Sequence, residues 1–329
     1  MTSPEPAFDR QQFAGILQSL ARSGLYLGTS SWKYPGWLGQ IYSPERYAYR
    51  GKFAESRFER LCLPEYAEVF PTVCVDAAYY KFPDDRYLDG LMSQVPPGFR
   101  FTFKVTDEIT VKRFPNLPRF GERAGQANAH FLDADLFQQS FLEPCRSFQD
   151  RVGVLIFEFS RFYPADFARG RDFVEALEAF LAKLPRGWRY GVEIRNRNFL
   201  HPEYFAALAR HGVTHVFNSW EAMPPLPEQL AMTGCMTSPE FTAARLLLRP
   251  GRDYSAAVER FAPYDRIQEV YAEGRNAGAR LIGAIARQEG GSPRTAYVYV
   301  NNRFEGNAPF TLLALLAAAG LLPPGNAPA

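Results

Sequence analysis

The run YGVEI (190–194) reads as a buried β-strand, yet it carries Glu193, and Arg195 follows two residues later. Residues two apart in a strand share a face, and a charge in such a place is costly unless it is paired or used. Lys104 lies the same way inside FTFKVT (101–106). Other residues able to do chemistry cluster where apolar runs end. Trp32, Tyr34 and Trp37 follow LYLGT (25–29), Asp76 and Tyr80 close TVCVDA (72–77), and Glu158 follows VGVLIF (152–157). Asn218 and Trp220 follow VTHVF (213–217), Arg249 follows ARLLL (244–248), and Asn301, Asn302 and Arg303 follow AYVYV (296–300).

Four cations in this set (Lys104, Arg195, Arg249, Arg303) and several carboxylates suit a small anionic or polyhydroxylated ligand. Arginine forks grip carboxylate or phosphate at two points. Glu193, Lys104 and Asp76 are the catalytic candidates. Glu193 can serve as an acid/base if an apolar surround raises its pKa; nearby arginines push the other way, so the sign is open. The competing reading of Glu193 and Arg195 is a structural ion pair. Lys104 has three readings: a Schiff-base nucleophile, an anion ligand, or the ion-pair partner of Glu193 or Asp76. The binding candidates are Trp32, Tyr34, Trp37, Tyr80, Arg195, Asn218, Arg249, Asn301, Asn302 and Arg303. Within this set Trp32, Trp37 and Tyr80 are placed to stack on a ring, and Asn301 and Asn302 to orient hydroxyls. For Trp32, Tyr34 and Trp37 the alternative is loop packing.

A metal set of Asp76, Glu158 and Glu193 is conceivable, but catalytic Zn or Mn sites normally recruit histidine. None of the four histidines (130, 201, 211, 215) follows a strand end. No cofactor is therefore expected, with Mg²⁺ bridging to a phosphate the one option left open. No nucleophilic triad is visible, and Cys74 reads as a small core residue. The four cysteines (62, 74, 145, 235) form no CxxC, as expected of reduced thiols in a cytoplasmic protein. Net charge is +2, which argues against a nucleic-acid coat or a membrane-surface protein. MTSPEPAFDRQQ is unlike a signal peptide, and LLALLAAAGLL (312–322) is too short to span a bilayer. The expected partner is a small anionic or sugar-like molecule, with no membrane and no nucleic acid; the oligomeric state is left open.

Elements must hold these residues in place. The eight apolar runs, 25–29, 72–77, 101–106, 152–157, 190–194, 213–217, 244–248 and 296–300, have the composition of strands buried on both faces. Helical periodicity falls between them, at 57–70, 130–148, 171–184, 202–212 and 266–288, with 312–322 closing the chain. Alternating β and α units imply a parallel sheet, and eight of them imply a single (β/α)8 TIM barrel of the α/β class. A doubly wound sheet is the alternative, weakened because no GxGxxG follows the first strand. Long loops at 30–56, 107–129 and 221–242 would lie over the C-terminal face. Residues 1–24 are expected to be an arm or short helix, 25–322 the barrel domain, and 323–329 a tail beyond a helix stopped by Pro323 and Pro324.

Four stretches, in order, resemble the YecE-like family, also called the domain-of-unknown-function-72 family. They are LGTSSWKYPGWLGQIY (27–42), FTFKVTDEIT (101–110), GVEIRNRNF (191–199) and YVYVNNRFEGNAP (297–309). The resemblance implies a TIM barrel without an established activity, with cleft positions at Trp32, Tyr34, Trp37, Lys104, Glu193, Arg195, Asn301 and Asn302. The chain departs from the family pattern at three places. Cys74 replaces a strand glutamate, and Asn196 and Arg303 replace histidines, so imidazole chemistry is not expected here. The functional expectation is an enzyme acting on a small anionic or sugar-like substrate by isomerase or hydrolase chemistry. The alternative is a non-catalytic binder or a phosphodiester-processing relative.

Overall fold

The computed structural model describes residues 8–289 and 295–322. Eight strands form a closed parallel barrel: β1 Leu25–Thr29, β2 Thr72–Val75, β3 Arg100–Lys104, β4 Val152–Phe159, β5 Tyr190–Ile194, β6 Thr214–Ser219, β7 Phe241–Leu246 and β8 Thr295–Val300. Each strand pairs with its neighbours in sequence, and β1 closes the ring, with Thr29 in register with Val300 on one side and Val73 on the other. This is the expected α/β TIM barrel.

Alternation within the strands builds two cores. Cys74, Val154, Ile156, Val216, Phe241, Ala243, Tyr297 and Tyr299 form a cluster filling the barrel. The intervening residues, among them Val73, Val75, Leu155, Phe157, Val192, Ile194, Ala244, Leu246 and Val298, join the larger core under the helices. Both faces are buried, which is why each strand reads as a continuous apolar run.

The helices include Arg10–Arg22, Glu55–Val69, Asp85–Met92, Gly170–Leu181, Pro202–Arg210, Tyr254–Phe261, Ala272–Ala286 and Ala308–Ala318. Asp9, Asp84, Asp253 and Asn307 cap four of them through side-chain oxygens. Arg10 ties the first helix down by donating to the Ile41 and Glu65 carbonyls and to Glu68. The arm expected over 1–24 is thus a packed helix from Arg10, while residues 1–7 and the tail at 323–329 lie outside the described residues; the last helix, read over 312–322 with Pro323 and Pro324 as its stop, runs instead over Ala308–Ala318 and ends before Gly320, whose φ is 70°. No helix among the described residues is long and apolar enough to cross a membrane.

Three further elements differ from expectation. The helix read over 130–148 is broken into short turns, including a π turn at Gln138–Leu142, next to Pro144, which has no N–H to continue the ladder. The helix read over 266–288 begins only at Ala272. The residues before it are irregular, with the Gln268 and Glu269 N–H groups donating to the Glu305 carbonyl and the Tyr271 N–H to its carboxylate. The seventh strand ends at Leu246, earlier than 248; the Leu248 N–H still donates to the Ser219 carbonyl, but Leu247 and Leu248 pack in a small separate core with Ala257 and Phe261.

Candidate functional site

The inward stripe of each strand turns polar at its C-terminal end. Two residues beyond Cys74, Ile156, Val216 and Ala243 of the interior cluster stand Asp76, Glu158, Asn218 and Arg245. Lys104 closes β3, and Glu193, in register with Glu158, lies in β5 with Arg195 just past its end. Consecutive strands thus place charged residues around one opening.

These side chains form one ion-pair network. Glu158 Oε2 receives Lys104 Nζ at 2.8 Å, Arg195 Nη2 at 3.3 Å and Arg245 Nη1 at 3.2 Å. Glu193 lies between Arg195, at 2.5 Å, and Arg245, at 2.8 Å. The Arg195 contact is an ion pair without hydrogen-bond alignment, since Glu193 Oε1 accepts no hydrogen bond. Arg245 Nη2 reaches Asp76 Oδ1 at 3.1 Å. Three cations face three carboxylates, and all are buried except Asp76, whose side chain is 38% exposed.

Burial opposes ionisation of Glu158, but Lys104, then Arg195 and Arg245, outweigh it and hold the carboxyl well below its ordinary range. Burial likewise disfavours the charged form of Lys104, yet Glu158 and Asp76 raise its pKa, so the amine is a fixed cation. Beside the network, Tyr79 presents its ring to Lys104 Nζ at 3.9 Å, and Trp220 presents its own to the Arg195 guanidinium at 4.0 Å. Burial pushes the Cys74 thiol inside the barrel to about 12, which keeps it protonated and inert. Burial also pushes the Tyr34 phenol to about 12, with Arg303 acting against it and Asp76 with it.

Several buried polar atoms remain unmatched. Arg195 Nε and Nη1 and Arg245 Nε have no acceptor, and Asn218 Oδ1 has no donor. The Asn218 amide donates to the Ile194 and Val216 carbonyls.

The structure therefore joins Asp76, Lys104, Glu158, Glu193 and Arg195, all singled out in the sequence, and adds one residue, Arg245. Glu158, legible as a strand end, is the partner of Lys104, where Glu193 or Asp76 was expected. Arg245, which binds all three carboxylates, was missed. It is the one charge in FTAARLLL (241–248), the same cue that marked Glu193. Reading the strand too far along the chain put Arg249 in its place; Arg249 instead pairs with Glu269 at 3.0 Å and is half-exposed.

The remaining candidates divide. Trp37 is fully buried, its Nε1 donating to Asn302 Oδ1, which also accepts from the Ala308 N–H. Trp37 and Asn302 thus belong to the loop core and cap a helix, in place of the stacking and hydroxyl-orienting roles read for them. Trp32 packs in that same core. Tyr34 lies against Trp37 and Tyr264. Asn301 Oδ1 accepts from the Arg303 N–H, and the Arg303 guanidinium lies over Tyr254 at 4.6 Å. Tyr80 is exposed, edge-on to Tyr79 and under Arg119. His215 faces outward, hydrogen-bonded to Tyr204, and burial pushes its pKa down to about 3. No three His, Cys, Asp or Glu side chains among the described residues gather as a metal set; the Arg245 guanidinium lies between the three carboxylates.

The sequence profile of the family described as Protein of unknown function DUF72 matches residues 26–328. Similar solved structures include a DUF72 family protein of Enterococcus faecalis V583, with 17% identity over 91% of this chain and 96% of that one and a TM-score of 0.60. Another, from Thermotoga maritima MSB8, has 21% identity over 90% of this chain and 97% of that one, with a TM-score of 0.57. At such identities the likeness is one of fold. No curated protein matches the chain.

Proposed function

The chain belongs to the DUF72 family, the same family as the YecE-like one, and from that premise we propose that it is an enzyme acting on a small anionic or sugar-like substrate, by isomerase or hydrolase chemistry, at the C-terminal ends of its strands. One observation carries this reading. The network is neutral in charge yet unfinished in hydrogen bonding, with buried guanidinium N–H groups lacking acceptors beside a carboxylate open to solvent. A purely structural network gains from being fully satisfied, and a half-satisfied one costs stability. Ligand hydroxyl or carboxylate oxygens would complete it.

The roles follow from accessibility and charge. Asp76 is the carboxylate placed to exchange a proton with a ligand. Lys104, held as a cation, binds an oxygen and is unsuited to imine formation, which needs the free amine. Glu193, fully buried between two arginines, orients Arg245 through a hydrogen bond and balances the charge of Arg195. A non-catalytic binder is the second reading, favoured by the fixed charges of Lys104 and Glu158, which leave Asp76 as the accessible proton carrier.

The test is a thermal-shift screen of neutral sugars, sugar phosphates, organic acids and short oligonucleotides against the full chain and Asp76→Asn. A ligand at 100 times its Kd stabilises by about 2.7 kcal/mol. The reading expects one of the first three classes to stabilise the protein and Asp76→Asn to weaken the effect. Stabilisation by oligonucleotides alone, or by none of the four, refutes it. Product analysis with the stabilising compound then separates enzyme from binder.

A further inference from the structure

Beyond β7 the chain gathers three arginines on one carboxylate. Glu269 Oε1 receives Arg249 Nη1 at 3.0 Å and Arg252 Nη2 at 2.5 Å, and Oε2 receives Arg260 Nη2 at 2.9 Å. Three positive charges against one negative leave an excess of two. Arg249 and Arg260 are 47% and 57% exposed, so their outer edges can meet a ligand, while Glu269 and Arg252 are more enclosed.

The carboxylate is held there by its backbone. The Glu269 N–H donates to the Glu305 carbonyl, Gln40 Nε2 donates to the Asp265 carbonyl at 2.6 Å, and Asn307 Nδ2 donates to that of Tyr264 at 2.9 Å. Gly36 lets the β1 loop close on this segment: a Cβ there would sit 2.1 Å from the Pro263 carbonyl oxygen. A carboxylate fixed under three guanidinium groups marks the place as an oxyanion position, because the fork geometry that grips carboxylate also grips phosphate.

The cluster is joined to the network through Trp220: Arg195 lies over its ring, the ring packs with Tyr254 and the Phe261 core, and Arg252 lies over Phe261. Arg249 lies over the Tyr271 ring, Arg303, whose buried Nε has no acceptor, lies over Tyr254, and Tyr34 touches Tyr264 edge-on. Loops after the seventh and eighth strands are where such barrels often bind phosphate.

We infer that Arg249, Arg252 and Arg260 form the anion subsite of this mouth, and that the ligand class is a phosphorylated polyol with its phosphate on this rim and its hydroxyls toward Asp76. The polyol half rests on the function proposed above; the phosphate half stands on the arginine cluster alone, and inorganic phosphate tests it separately.

Inorganic phosphate is titrated at low salt into the full chain, Arg249→Gln/Arg260→Gln, Glu269→Gln and Asp76→Asn. The double arginine variant should bind at least about tenfold more weakly. Glu269→Gln should bind about fourfold more tightly, since it removes a like charge about 5 Å away in a water-like dielectric. Asp76→Asn should bind as the parent does. Absence of phosphate binding in both parent and Glu269→Gln overturns the subsite, as does binding indifferent to the arginines or weakened by Glu269→Gln. If phosphate behaves as expected but a sugar phosphate binds no better than phosphate alone, the polyol half fails and the anion subsite stands.

Discussion

Arg245 is the residue on which the network turns, and Arg245→Met measures this directly. The guanidinium is almost fully buried and contacts Glu193, Glu158 and Asp76 at 2.8, 3.2 and 3.1 Å. Glu158 keeps Lys104 and Arg195, and Asp76 can turn to water. Glu193, with no exposure, keeps only the misaligned Arg195 contact. Removing one partner of a buried ion pair costs about 3–5 kcal/mol, mostly the penalty of the carboxylate left behind. Globular proteins unfold with about 2.1 cal/mol/K of entropy per residue, which for 329 residues gives about 0.7 kcal/mol/K, and hence a fall in Tm of about 4–7 °C. Adding Glu193→Gln to Arg245→Met removes the stranded charge and should recover about 1–3 kcal/mol relative to the sum of the single variants. Calorimetry and urea unfolding of the parent, both singles and the double measure each quantity. A loss below about 1 kcal/mol for Arg245→Met, or additivity within about 0.5 kcal/mol, refutes the claim that Arg245 compensates a buried Glu193 charge.

Two further outcomes follow from burial. All four cysteines are buried and free, with burial raising each thiol pKa, Cys62 to about 11 and Cys74 to about 12. Folded protein at pH 8 should therefore react with none of its thiols on the timescale of minutes, and unfolded protein with four; rapid labelling of Cys74 in the folded state would contradict its place inside the barrel. His215, pushed by burial to about 3, stays neutral when folded, whereas unfolded histidine takes up a proton near 6.5. Its contribution is complete above about pH 6.5 and is lost as pH falls toward 3, by up to about 1.4 kcal/mol per unit. His215→Gln should flatten the dependence of unfolding free energy between pH 6 and 4 by that slope, and an unchanged slope would show that the ring titrates normally.

Much of the fold was legible along the chain. LYLGT and YGVEI occupy the strands read for them, Leu25–Thr29 and Tyr190–Ile194, because burial on both faces demands apolar residues in an unbroken local run. The same cue misled at ARLLL. Leu247 and Leu248 are as apolar as strand residues, but they serve a small core with Phe261, and the four-residue shift from Arg245 to Arg249 exchanged a network residue for a rim residue. Trp37 and Asn302 misled for a related reason: ligand-stacking and loop-packing aromatics have the same composition, and only their hydrogen bond tells them apart.

The sequence by itself determined that charges would sit at the inward ends of apolar strands, since alternation along a strand is a local property. The tertiary structure alone decided which charge meets which. Arg245 reaches Glu193 across 52 residues, Glu158 across 87 and Asp76 across 169. Those pairings depend on the register in which eight strands close, and a register is set by packing summed around the whole ring, which no local stretch of chain encodes.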